Sequence, residues 1–333
     1  MYPERIYYEK GALIYPQCSK ILNKYPDVPK FEIENHNKIP ELRNMPDSEF
    51  LRMKRFLILG VRKTTRLVPN IRSSDFLVPF TSSGCSAMCS YCYLVCNYFK
   101  CSYLRVFVNR EDMLGSIRKM AEKLNEPKLY ELGSNSDMVL ENTITGNLKW
   151  AIEQIADMKN VYCTFATKFT EIDDLLDAKH NGHTAMRISV NPQNIIKKAE
   201  MGTANLLKRI EALNKMAGAG YNFGINIAPI ILQEGWQKDY LEMFDTLFEN
   251  LSDKIKNSET LFFEIIFLTY GIANTMINAA WLPEHLSVFE KEKMMMKRRG
   301  KMCYKPSERT EAEMFLREEI RRRFPKAFIK YIV

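Results

Sequence analysis

From Asp75 onward, short runs rich in β-branched and aromatic residues alternate with longer stretches of helical periodicity, and this rhythm restricts the fold more than any other feature of the chain. The predicted strands are DFLVPF (75–80), KLYEL (128–132), VYCTFA (161–166), AMRISV (185–190), NFGINIA (222–228) and LFFEIIFL (261–268). Predicted helices fill 111–124, 147–158, 171–180, 204–217 and 237–251. Six strands joined by helices imply parallel pairing and right-handed crossovers. The expected fold class is therefore α/β, an open or partial (β/α)6 barrel with its reactive centre at the C-terminal ends of the strands.

The clearest helix is 204–217, with Leu206, Leu207, Ile210, Leu213 and Met216 as its apolar stripe and a stop at Gly218 and Gly220. Outside the barrel the rhythm is lost. Residues 1–74 have a Pro and Asn content that predicts an irregular N-terminal lobe, 75–270 form the barrel, and 271–333 form a C-terminal extension, all packed as one unit. In that extension, 281–305 read as a helix followed by a turn or hairpin around Gly300. A last helix is predicted from Thr310, where Thr310 and Glu313 make a capping-box pattern, and it runs into the basic RRRF of 321–324.

A chain of 333 residues with 46% hydrophobic and 26% charged residues can bury a large core. It contains no apolar run long enough to span a bilayer, and MYPERIYYEKGALIYP lacks the layout of a signal peptide. A cytoplasmic protein without membrane attachment is expected. The formal charge of +8 suits an anionic partner such as nucleic acid.

Eight cysteines fit a reducing compartment if they bind metal, and five of them, Cys85, Cys89, Cys92, Cys96 and Cys101, are crowded together. The central motif is GCSAMCSYCYL (84–94), directly after the first barrel strand. Three thiolates spaced by four and three residues suit an iron–sulfur cube with three irons tied and one open to chelate a small molecule. Gly84, Ser86 and Ala87 let the backbone wrap closely around it. A zinc loop using Cys85, Cys89, Cys92 and Cys96 is the alternative, but zinc ligands usually come as two separated pairs, and no second pair is present.

C-x3-C-x2-C after a first barrel strand, followed by Tyr93, resembles the radical S-adenosylmethionine superfamily. The likeness narrows to the spore photoproduct lyase family through YCYL (91–94), LRVFVN (104–109), ITGNLKWAIE (144–153), ATKF (166–169) and LLDAKHNGHT (175–184). RISVN (187–191), RIEALNKMAGAGY (209–221), IAPIILQEGW (227–236) and the C-terminal FPKAFIKY extend it over essentially the whole chain.

The resemblance implies a radical S-adenosylmethionine barrel that repairs a thymine–thymine adduct made in DNA by ultraviolet light. Its cofactors would be a [4Fe–4S] cluster on Cys85, Cys89 and Cys92 and S-adenosylmethionine near Tyr91, Ser136, Lys168, Ser189, Asn191 and Ala228. A 5′-deoxyadenosyl radical would take a hydrogen from C6 of the lesion. The linking bond would then break, and a hydrogen would be returned. The implied partners are damaged DNA and an external one-electron reductant such as flavodoxin or ferredoxin, with the chain acting as a monomer. Bland readings stand beside these: Lys168 as a solvated barrel-end lysine, and Ser189 or Asn191 as caps.

Two departures from the family pattern stand out. Ser134 occupies the position of the cysteine that donates hydrogen to the product radical, and a serine O–H bond is much stronger than a thiol S–H bond. Tyr91 and Tyr93 match the family's relay tyrosines and are candidate donors, as are Cys96 and Cys101, whereas Cys163 reads as a core residue. The DNA-facing hairpin, MMMKRRGKMCYK (294–305), keeps Lys297, Arg298, Arg299 and Lys301 for phosphate contacts but lacks the family's wedge aromatic, Tyr304 being the nearest ring. Arg321, Arg322 and Arg323 read first as an exposed helix face.

Overall fold

The computed structural model describes residues 1–78, 81–92, 94, 103–271, 287–297 and 300–333. The chain divides into two compact units, one comprising Met1–Ser86, Leu94–Ala166 and Asp173–Thr184, the other Ala87–Tyr93, Thr167–Ile172 and Ala185–Val333. All six predicted barrel strands are present, three associated with each unit.

In the first unit Phe76–Val78, Lys128–Leu132 and Val161–Thr167 pair in parallel, Cys163 facing Tyr130 and Leu77 facing Glu131. The helices Arg110–Leu124 and Asn147–Ala156 fall where the apolar periodicity puts them. Cys163 is fully buried against Thr184, and burial pushes its thiol up to about 12, so it is a core residue. The same unit holds the main surprise. Residues 1–74 are not irregular: Arg5–Glu9, Lys30–Ile33 and Phe56–Gly60 form a parallel sheet with Leu104–Phe107. Its core is Ile6, Leu57, Leu59, Leu104 and Val106, each essentially inaccessible to water. The strands are four or five residues long and their partners are distant in sequence, so no local alternation announces them.

A predicted helix at 171–180 is absent, and only a 3₁₀ turn at Asp173–Leu175 forms. Side chains hold this segment instead. Asn142 donates to Asp174 (2.7 Å), Lys149 to Asp177 (2.7 Å) and Lys179 to Asp157 (2.7 Å), offering it an alternative to the helical ladder.

In the second unit Thr184–Val190, Asn222–Ile230, Phe262–Phe267 and the C-terminal Phe328–Ile332 form a parallel ladder. Register decides what its two faces carry. Ser189, Asn226 and Glu264 are paired neighbours and share one face, which Arg187 joins two residues earlier. The other face carries Ile188, Ile225 and Ile265, and the helix Leu206–Gly218 packs on the central strand. Asn205 caps that helix by accepting from the Lys208 N–H (2.9 Å). Leu207 stands outside its buried stripe, 55% exposed, because one residue turns about 100° from Leu206.

Gly224 marks a close approach within this ladder. A methyl group there would sit 2.3 Å from Phe262 Cε2. Gly224→Ala is expected to destabilise the protein by about 1–3 kcal/mol, read from denaturant unfolding, and an effect near zero would contradict the packing.

The C-terminal helix spans Pro306–Arg323 and starts before the predicted Thr310, because Pro306, with its φ already helical, occupies the first turn. The hairpin around Gly300 is real, with Met294–Lys297 antiparallel to Lys301–Tyr304. Of the helix predicted before it, 281–286 lie outside the described residues, and Lys291–Lys293 make a 3₁₀ turn. Among the described residues, no helix is long and apolar enough to cross a membrane.

Candidate active site

The cysteine motif lies in the loop following the first barrel strand. Gly84 adopts φ +82°, a conformation that favours glycine, and its N–H donates to the Asn135 carbonyl (2.8 Å). Lys54 Nζ, from the buried Lys54, donates to the Cys85 carbonyl (2.9 Å). Further along, Met88–Cys89 pairs antiparallel with Glu200–Met201, Cys89 opposite Glu200. The Ser90 N–H donates to the Ala199 carbonyl (2.9 Å), and the Cys92 N–H to that of Cys89 (3.1 Å).

Cys85, Cys89 and Cys92 are half-buried thiols, reachable by a cluster yet sheltered. Among the described residues, no three His, Cys, Asp or Glu side chains converge on one point as ligands of a single ion would. Three thiols in one loop, each able to take a separate iron, suit the cube expected from the motif. Cys96, the fourth ligand of the zinc alternative, lies outside the described residues, as do Tyr93 and Cys101.

Five of the six candidate cofactor contacts belong to the second unit, and four of them meet there. Asn191 Nδ2 donates to Glu200 Oε1 (2.7 Å), the Tyr91 hydroxyl donates to the same oxygen, and Lys168 Nζ stands 4.0 Å from it. Lys168 also donates to the Ala228 carbonyl (3.0 Å) and lies 5.8 Å from the Tyr91 ring centroid. The other carboxylate oxygen, Glu200 Oε2, accepts from Arg209 Nη2 at 2.6 Å. Arg209 Nη1 in turn donates to the Ser189 carbonyl (2.9 Å), which fixes the backbone of that candidate.

Burial alone pushes the Glu200 carboxyl up, but the Lys168 and Arg209 charges and the Tyr91 and Asn191 hydrogen bonds outweigh it and hold it below the usual carboxylate range. Burial, followed by the Glu200 charge, pushes the Tyr91 phenol well above its ordinary value, so it keeps its proton. Asn226 shares the sheet face of Ser189. It is buried, and its Oδ1 has no hydrogen-bond partner among the described residues. A polar face with an unmet acceptor suits a bound molecule rich in donors, which S-adenosylmethionine is.

Ser136, the sixth candidate, lies in the first unit and accepts from Ser82 Oγ (2.7 Å). Ser82 Oγ also stands 3.3 Å from Glu141, a fully buried carboxyl that receives Thr81 (2.8 Å) and Asn147 (2.8 Å). Ser134 is half-buried at the end of the Lys128–Leu132 strand.

Sequence reasoning passed over Glu200, Arg209, Asn226, Glu141 and the Arg187–Glu264 pair. For Arg209 a signal existed, since a cation on the apolar stripe of a helix calls for a buried acid. For Glu200 there was none.

On the hairpin, Lys297 and Lys301 are exposed and face each other across the strands, while Arg298 and Arg299 lie outside the described residues. Tyr304 is buried, its hydroxyl accepting from the Leu232 N–H (2.8 Å), so it is a core ring and no wedge. Arg321 and Arg322 are exposed as expected, but Arg323 is packed and ion-paired with Glu319 and Asp245.

A family model described as spore photoproduct lyase matches residues 1–333. The chain is 34% identical to the spore photoproduct lyase of Bacillus subtilis (strain 168), with 99% of this chain and 98% of the relative covered. It is 33% identical to that of Geobacillus sp. (strain Y412MC61), with the same coverage. A solved spore photoproduct lyase complexed with dinucleoside spore photoproduct superposes with a TM-score of 0.93 at 30% identity, 99% of each chain being covered. A mutant of such a lyase with bound AdoMet and dinucleoside spore photoproduct gives 0.92 at 31%, again with 99% of each chain covered. Parallel α/β architecture, the three-thiol loop and these matches together define a radical S-adenosylmethionine enzyme. Within that class, the chain belongs to the spore photoproduct lyase family.

Proposed function

We propose that this protein reverses the spore photoproduct in ultraviolet-damaged DNA, using a [4Fe–4S] cluster and S-adenosylmethionine. The observation that carries the reading is the full-length match to lyases solved with the dinucleoside lesion. When bound, the reduced cluster supplies the electron that splits S-adenosylmethionine into methionine and a 5′-deoxyadenosyl radical.

The chain's own residues would bind and orient. Cys85, Cys89 and Cys92 would each take one iron, leaving the fourth open. Lys168 offers a cation to the methionine carboxylate, and Ser189, Asn191 and Ser136 offer hydrogen bonds, with Ala228 beside them. Such positioning is the protein's main contribution, because it fixes the reactive carbon against the lesion. Ser134 holds its hydrogen too tightly to return it readily, so the return falls to Tyr91, Tyr93, Cys96 or Cys101. Lys297, Arg298, Arg299 and Lys301 would meet phosphates. An external carrier such as flavodoxin or ferredoxin would supply the electron to a monomer in the cytoplasm.

The test uses anaerobically reconstituted protein, a chemical reductant, S-adenosylmethionine and dinucleoside spore photoproduct, with products followed by chromatography. Repaired thymine and 5′-deoxyadenosine are expected together. Release of 5′-deoxyadenosine with no thymine would keep the radical core and overturn the substrate.

A further inference from the structure

We propose that Glu200 is the positioning residue of the cofactor site, a single buried carboxylate that sets the orientation of Tyr91, Asn191 and Lys168 and ties them to the cysteine loop. The inference rests on the reading of this chain as an S-adenosylmethionine enzyme and adds to it a residue with no place in the family-derived set.

The two carboxylate oxygens of Glu200 are used differently. If Glu200 existed only to neutralise Arg209, one oxygen would suffice, and Oε2 does this at 2.6 Å. The opposite oxygen gathers three groups from three separate stretches of chain. Tyr91 comes from the cysteine loop, Asn191 from the end of the Thr184–Val190 strand, and Lys168 from the end of the Val161–Thr167 strand. Asn191 and Lys168 each have a second tether. Asn191 Oδ1 accepts from the Tyr240 hydroxyl (3.4 Å), so the amide nitrogen must point to Glu200. Lys168 also reaches the Ala228 carbonyl, and its ammonium lies 5.8 Å from the Tyr91 ring centroid.

The main chain of residue 200 completes the device. Glu200 is the register partner of Cys89, so the backbone that presents a candidate iron ligand is laid against the residue whose side chain orders the candidate cofactor contacts. Arg209 is needed because an isolated carboxylate at 1% exposure would be costly to bury. Arg209 is held by carbonyls of Ala204 and Ser189 and by Thr203 Oγ1, all at 2.8–2.9 Å, and so acts as a fixed counter-ion.

Glu200→Gln alone would leave Arg209 buried without a carboxylate, so two other variants make the test. Glu200→Asp keeps the charge and the Arg209 pair, but its shorter arm cannot also reach Tyr91 and Asn191. Glu200→Leu combined with Arg209→Met removes both charges and the shared acceptor oxygen at nearly constant volume. Each is reconstituted, its iron counted and its melting temperature recorded. The affinity for S-adenosylmethionine is then measured by equilibrium dialysis without reductant, so that no turnover enters the readout. Both variants are expected to keep wild-type iron content and to bind S-adenosylmethionine about tenfold or more weakly, the effect of disordering two or three charge-assisted contacts. Wild-type affinity in both variants would overturn the inference and leave Glu200 a packing residue. If the wild-type protein itself binds no S-adenosylmethionine, the underlying reading falls, and that is seen before any variant is made.

Discussion

Replacing Cys92 with alanine is expected to strip the reconstituted protein of its [4Fe–4S] cluster and of all S-adenosylmethionine cleavage while leaving the fold intact. A cube tied by three thiolates has no reserve: without one of them, two irons stand open and the cluster is lost to solvent or chelator. The fold should survive because Cys92 is only half-buried, and its backbone N–H bond to the Cys89 carbonyl (3.1 Å) does not need the thiol. Iron and sulfide content, visible absorption and a thermal melt measure both halves of the statement. Cys163→Ala provides the contrast. That thiol is fully buried at Thr184, and its loss should leave iron content unchanged while costing about 1–2 kcal/mol of stability. A Cys92→Ala protein with a full complement of iron would show that the ligands lie elsewhere.

Breaking the Arg187–Glu264 pair is expected to have the largest effect on stability. Arg187 Nη1 donates to Glu264 Oε2 at 2.9 Å, with side chains 3% and 0% exposed, on the sheet face shared with Ser189 and Asn226. Water cannot screen a charge left there, and the next cation, Lys330, is 3.8 Å from the other carboxylate oxygen. Arg187→Ala should therefore cost about 3–5 kcal/mol, lowering the melting temperature by on the order of 10 °C. The neutral pair Arg187→Met with Glu264→Gln should recover most of that loss, since much of the cost is an orphaned charge and not a missing attraction. A loss under about 1 kcal/mol in the single variant would mean that water reaches this face.

The barrel was legible because its strands carry their own pattern. In NFGINIA the inward Gly224, Asn226 and Ala228 alternate with Phe223, Ile225 and Ile227, and that period of two is visible without partners. The N-terminal sheet was not legible, since RIYYE and KFEI are short, pair with each other 24 positions apart, and RIYYE's other partner is about 51 positions away. The segment at 171–180 has helical periodicity, yet an Asn142 hydrogen bond to Asp174 and a Lys149–Asp177 ion pair hold it open. The cysteine motif and the positions of Lys168, Ser189 and Asn191 could be read along the chain. Their common anchor could not, because Glu200 gains its meaning only when three stretches of chain meet around it. Tyr304, the ring nearest the basic turn, could not be placed from sequence, and its hydroxyl serves the Leu232 backbone inside the core.

Repair by this protein is proposed to start with removal of the C6 hydrogen of the lesion. Dinucleoside spore photoproduct deuterated at C6, incubated with the reduced enzyme and S-adenosylmethionine, tests it most directly through the mass of the released 5′-deoxyadenosine. Deuterium is expected in 5′-deoxyadenosine alongside restored thymine. Unlabelled 5′-deoxyadenosine, formed at the same rate with and without the lesion, would contradict it.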